Sequence, residues 1–274
     1  AITLTALDEL DAKALTSVMK LNTLLGETAR LGVQQAILST ASSINELSAA
    51  SAASAQPIID FARRVGGVAS QASLSTAEVL GLGATLDAIG QNVEASSTAV
   101  SKFTTALLTN GKAIAEDTGL SEEYVFQMTR QGKTMELMVE VLSRLGSMGG
   151  LSEITKYMGD MGGDGARATA VISALASNVG FLRDQVDLSK RSFEEGISVI
   201  NEYNLKNENA AAYIERTGNL IREFFTGSGL VEGASAMAKT MYTLVQWLTS
   251  ASNWAYALRL ALVMAAAWIM SFSK

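Results

Sequence analysis

Leu74-Ser75-Thr76-Ala77-Glu78-Val79 carries the signature of a helix start. Ser75 and Glu78 stand three apart as a capping box, in which each side chain can satisfy a backbone N–H that the first turn leaves without a partner. Leu74 and Val79 flank the box as a hydrophobic staple. Related starts recur on the C-terminal side. Gly90-Gln91-Asn92-Val93-Glu94, Gly119-Leu120-Ser121-Glu122-Glu123 and Gly149-Gly150-Leu151-Ser152-Glu153 each place a small or polar cap ahead of an acidic first turn, with less complete boxes. Helices of roughly 8 to 18 residues are expected between these marks.

The rest of the chain agrees with a helical fold. Ala and Leu are abundant, the chain holds a single proline, Pro57, and the stretches between glycines have helix spacing. The expected class is all-α: multiple short packed helices followed by longer helices, with an apolar C-terminal helix. Four segments are expected: an N-terminal helical segment over 1-55, a short-helix core over 56-165, a longer helical hairpin or coiled-coil-like segment over 166-229, and an apolar Trp-containing helix over 230-274.

In the first segment Leu7, Leu10, Ala14, Val18, Leu21 and Leu25 recur at steps of three and four, with Leu31 following, and predict one long helix from about Thr3 to Gln35. From Ala36 to Gln56 small residues dominate, which suits close helix approach or a loose linker. Pro57 suits the first turn of a helix carrying Ile58, Ile59, Phe61 and Ala62 and ending near Gly66-Gly67. Farther on, Leu175, Val179, Leu182, Val186, Ser189 and Phe193 alternate steps of four and three. Such a seam belongs either to a coiled coil or to packing within the chain.

Composition removes most chemistry. The chain has no cysteine and no histidine, which excludes disulfides, sulfur-ligated metals, imidazole bases and Ser-His or Cys-His nucleophile systems. A net charge of −6 leaves no basic field for phosphates, so no specific nucleic-acid binding is expected. Gly132-Lys133-Thr134 looks like the end of a phosphate loop, but the required earlier glycine is Gln127. Asp160-Met161-Gly162-Gly163-Asp164-Gly165 lacks the alternate ligands and closing glutamate of a calcium loop. The chain is expected not to be an enzyme and to hold no catalytic, cofactor or metal site. It begins Ala1-Ile2-Thr3-Leu4 without methionine or a secretion signal, and reads as a piece of something longer.

The apolar end is the candidate contact region. Leu260–Met270 has no polar side chain apart from the Trp268 indole, yet it is too short for a bilayer, and a longer window takes in Arg259. Trp247, Trp254 and Trp268 are spaced by seven and fourteen, so one stripe holds all three. Packing of that stripe in a core or on a partner is favoured over membrane contact; in the latter case Arg259 would snorkel to the interface.

A longer pattern adds to this. Ile44-Asn45-Glu46-Leu47 is followed by Ala52-Ala53-Ser54-Ala55, Ile58-Ile59-Asp60-Phe61 and Val65-Gly66-Gly67-Val68-Ala69. Then come the Leu74–Val79 box, Leu82-Gly83-Ala84-Thr85-Leu86, Ile89-Gly90, Glu94-Ala95-Ser96-Ser97-Thr98-Ala99, Gly119-Leu120-Ser121 and Met138-Val139-Glu140-Val141-Leu142. In this order, over about Leu31 to Gly229, they resemble the core region of bacteriophage tail tape-measure proteins. The resemblance implies a virion structural protein in the tail-tube lumen that sets tail length during assembly and leaves ahead of the DNA. Its implied partners are tail tube and tail tip proteins; copies of itself as a homo-oligomer in the lumen, and host membrane contact after release, are expected from the Trp247, Trp254 and Trp268 stripe. It implies location in the virion tail, in the host cytoplasm during assembly, and at the host envelope on infection. No catalytic residue is carried over. The repeated caps indicate a folded station on the tape rather than one straight rod. Two alternatives fit the residues: a membrane-active or pore-forming helical protein, and a bacterial helical-bundle interaction domain.

Overall fold

A computed structural model of the chain describes residues 12–147, 165–202, 204 and 205. The chain divides into two compact units; of the described residues, those up to Val199 belong to the first and those from Ile200 to the second. Among the described residues every regular element is a helix. Those of the first unit are α1 (Ala12–Leu24), α2 (Glu27–Leu31), α3 (Val33–Ala50), α4 (Ala55–Gln71), α5 (Thr76–Ala88), α6 (Val93–Thr109), α7 (Gly111–Thr118), α8 (Glu122–Arg130), α9 (Thr134–Ser147), α10 (Gly165–Ser177) and α11 (Val179–Glu195).

The capping box forms as the sequence predicts. The Glu78 N–H donates to Ser75 Oγ at 3.2 Å, and the Ser75 N–H donates to Glu78 Oε2 at 2.8 Å. Leu74 and Val79 on either side are buried. Asn92 and Ser121 cap α6 and α8 in the weaker manner, each through one side-chain oxygen. At the other end of α5, the Gly90 N–H reaches the Asp87 carbonyl and the Gln91 N–H reaches that of Leu86, both at 2.9 Å, with Gly90 at φ +76. This is a Schellman stop, in which the left-handed residue lets two amides turn back onto the last carbonyls.

Helix α5 is the centre of the unit. Every residue from Thr76 to Leu86 is buried, so the helix has no solvent face and no amphipathic stripe to read. Around it pack α3, α4 and α11. Helix α4 presents Ile58, Ile59, Phe61, Ala62, Val65 and Ala69, all buried, at helical spacing. It also packs against α1 and α6, and α10 closes on α6 and α9. Two glycines admit close neighbours to α5: a Cβ on Gly81 would lie 2.7 Å from the Val186 Cα of α11, and one on Gly83 would lie 2.9 Å from the Phe61 ring carbon Cδ1 of α4.

The N-terminal reading needs correction. Of the stripe expected on one helix from Thr3 to Gln35, Ala14, Val18 and Leu21 are buried, but the helix ends at Leu24 and the chain restarts as α2 and α3. Gly26 (φ +82) and Gly32 (φ +77) make the two corners. The small-residue stretch after Ala36 is helix, not linker, as far as Ala50, and its buried Ala36, Ser39, Ala41, Ser42 and Ser43 allow close approach. Nor does α4 stop at Gly66-Gly67. It runs to Gln71, because Gly66 is a packing glycine whose Cβ would lie 2.9 Å from Leu24 Cδ2.

The heptad seam is packing within the chain. Leu175, Leu182, Val186, Ser189 and Phe193 are buried, with α11 seated on α5 and α3 and a bend at Asn178 dividing the seam between two helices. Packing in the first unit therefore runs across the divisions at 55/56 and 165/166. Gly132 (φ +68) lies in the Schellman stop of α8, where its N–H meets the Thr129 carbonyl and the Lys133 N–H meets that of Met128, and no strand precedes it. The Gly149–Glu153 cap, Asp160–Asp164 and the stretch 206–274 lie outside the described residues.

Candidate functional site

A polar cluster of the first unit lies where α11 crosses α3 and α5. With Glu78 Oε2 already capping α5, Glu78 Oε1 receives Lys190 Nζ at 2.9 Å. One residue away, Ser189 Oγ donates to the Ala77 carbonyl at 2.6 Å and stands 2.7 Å from Ser43 Oγ. Since a carbonyl can only accept, the Ser189 proton is committed to Ala77, and Ser43 is the donor to Ser189. Three helices are thus joined through side chains that are all buried except Lys190.

Electrostatics define what this cluster can do. Burial of Lys190 works against its charged form, but the Glu78 hydrogen bond and the negative charges of Glu78, Glu136 and Asp187 outweigh it and raise the ammonium above the usual lysine value of 10.5. Lys190 is therefore held protonated at neutral pH and is neither base nor nucleophile there. Both Glu78 oxygens are engaged. The arrangement is a clamp between helices rather than a reactive pair.

A second tether follows α11. Ser198 Oγ accepts from Asn45 Nδ2 at 2.8 Å and donates to Glu46 Oε1 at 2.5 Å, while the Val199 N–H reaches Ser42 Oγ at 3.3 Å. The first unit is in this way fastened to α3 at its C-terminal edge.

Two of the open clefts among the described residues lie beside α7 and along α11. One of about 560 Å³, between the end of α6 and α7 and α8, is lined by Leu107, Leu108, Val125 and Phe126 with Lys112 and Glu122 at its rim. Phe126 is 53% exposed, and the Arg130 guanidinium covers one face of its ring at 5.3 Å. The other, about 620 Å³, runs along α11 past Asp184, Asp187, Lys190 and Arg191. Among the described residues no group of three or more acidic side chains is placed to hold a metal ion, and no helix is long and apolar enough to cross a membrane.

The contact residues expected from sequence, Trp247, Trp254, Arg259 and Trp268, lie outside the described residues. Sequence reading found Glu78 through its capping box, but not its partner Lys190 or the Ser43–Ser189 bond, whose members lie 146 residues apart. The α11 spacing marked Ser189 as an inward position, and a hydroxyl at an inward position was the available signal. Comparison with known protein families, with curated proteins and with solved structures finds no match.

Proposed function

We propose that this chain is a structural, non-enzymatic part of a bacteriophage tail tape-measure protein, forming a folded station on the tape. The observation that carries the reading is the ordered succession of elements from Ile44-Asn45-Glu46-Leu47 to Met138-Val139-Glu140-Val141-Leu142. These segments lie along the chain from α3 to α9, some on helices and some in the turns between them. The clamp at Glu78 and Lys190 supports a structural role, since its charges bind each other. In this reading the chain occupies the tail-tube lumen with copies of itself, meets tail tube and tail tip proteins during assembly, and leaves ahead of the DNA. The Trp247, Trp254 and Trp268 stripe packs on partner helices in the intact tail and meets the host envelope after release, with Arg259 drawn to the interface.

The test is proteolysis of purified tails followed by mass spectrometry. Peptides of this chain should be present, should resist protease while the tail is closed, and should become cleavable once it opens. Absence of the chain from tails, with recovery in the membranes of uninfected cells, would overturn the reading in favour of a membrane-active protein.

A further inference from the structure

Helices α10 and α11 are separated by one residue, Asn178, at φ −122 and ψ 30. Asn178 gives α11 no side-chain cap; its Nδ2 donates back to the Ala174 carbonyl at 2.8 Å instead. The apolar seam ignores this corner. Ala168, Ile172, Leu175, Val179, Leu182, Val186, Ser189 and Phe193 alternate steps of four and three without a slip, and all but Val179 are buried. The corner rests on this asparagine, a common helix stop, with no proline and no change of phase beside it. The pattern suits a bent pair of helices and equally a continuous helix over 165–195, about 46 Å long at 1.5 Å per residue. In the continuous form the first amides of α11 gain the last carbonyls of α10 as partners.

Half of the residues that α11 buries are polar. Of its six buried residues, Gln185, Ser189 and Ser192 are polar beside Leu182, Val186 and Phe193; Ser189 meets Ser43 of α3 and Ala77 of α5, and the Gln185–Val186 backbone lies against Gly81. Water replaces hydrogen bonds when such a surface opens, so exposure costs less than for an apolar face of equal area. What then fits the vacated groove is a helix with a hydroxyl opposite Ser43 and Ala77, a cation opposite Glu78, and a backbone close enough to touch Gly81. An α11 from another copy meets all these requirements.

We propose that α11 is an exchangeable arm: α10 and α11 straighten at Asn178 into one helix, and the α11 of each chain docks in the α3–α5 groove of a second copy, giving a swapped homodimer. Every contact of the bent form is remade between chains, from the Ser43–Ser189 bond to the Ser198 tether, so the two forms differ mainly at the hinge. The inference stands apart from the tail reading, since it uses only contacts within the first unit.

Because the chain has no cysteine, a disulfide can report which chain supplies α11. Ser43→Cys and Ser189→Cys are introduced together in the full chain, at positions whose Oγ atoms lie 2.7 Å apart. The reduced protein is equilibrated over a range of concentrations, oxidised, and run on non-reducing gels beside light scattering. Covalent dimers should rise with concentration. Asn178→Ala should raise the dimer association constant about 5- to 10-fold, since two hinges each gain helix propensity, and Asn178→Gly should lower it. Intramolecular disulfides alone, in a monomer or in a dimer held by other surfaces, would overturn the proposal. If the double-cysteine chain does not fold, light scattering of the cysteine-free Asn178 series decides, and no shift between Ala and Gly would refute it.

Discussion

Gly81→Ala places one methyl group between two helix backbones. Its Cβ would lie 2.7 Å from Val186 Cα, 2.9 Å from Val186 N and 3.0 Å from the Gln185 carbonyl oxygen, where contact distances for carbon are near 3.5–4.0 Å. The obstructing atoms are main chain and cannot rotate away, so α11 has to withdraw by about 1 Å. The Ser189 to Ala77 bond at 2.6 Å and the Lys190 to Glu78 pair at 2.9 Å sit on the same crossing and lengthen with it. Overpacking costs about 1–3 kcal/mol, and a buried hydrogen bond lost beside it about 1–3 kcal/mol. Better helix propensity of alanine returns about 1 kcal/mol. The net expectation is a loss of about 1–5 kcal/mol, measured as a lower urea midpoint at unchanged slope. Gly67→Ala is the matched control, because Gly67 is also inside a helix but nothing lies within 4 Å of its Cβ. It should gain about 0.5–1 kcal/mol. If Gly81→Ala matched Gly67→Ala in sign, the close approach of α5 and α11 would be refuted.

Ser73, at φ 57, occupies the left-handed corner after α4, where its N–H meets the Ser70 carbonyl and the Leu74 N–H meets that of Ala69. Ser73→Gly should therefore stabilise the chain by about 0.5–1 kcal/mol, seen as a higher midpoint in urea, whereas a loss would show that the corner is not strained. Lys190 has a raised pKa, so its contribution to stability is complete below the unfolded value near 10.5 and is lost as pH climbs through the higher folded value. The stability gap between the native chain and Lys190→Met should be constant from pH 7 to about 9 and should close above about 10.5. A gap that persisted at high pH would mean that Lys190 acts through its aliphatic stem alone.

Local signals were legible in the sequence, and signals depending on what lies across the interior were not. The Ser75–Glu78 box needs four consecutive residues to read and forms as expected. Glycine is harder. Gly66-Gly67 looks like a terminator, yet Gly66 is where Leu24 of α1 presses on α4, and only tertiary neighbours distinguish a stop from a packing site. Conversely, the apolar steps across Gly26 and Gly32 match a long helix, while the backbone takes positive φ at both. Helix α5 hides from periodicity because it is buried on all sides. Lys190 reads as an ordinary surface lysine, since the carboxylate that gives it meaning lies on another helix far away in sequence.

The groove of α3 also has a consequence in time. During synthesis α3 emerges long before its cover does: Ser43 waits 146 residues for Ser189, and Asn45 waits 153 residues for Ser198. At ribosomal rates of about 5–20 residues per second the wait is roughly 7–30 s, far longer than helix formation or collapse takes. Through that interval the nascent chain shows water Ser39, Ser42 and Ser43 where a conventional core helix would show leucine. Hydroxyl-bearing turns there let the ribosome-bound intermediate stay hydrated until the last helix of the unit arrives.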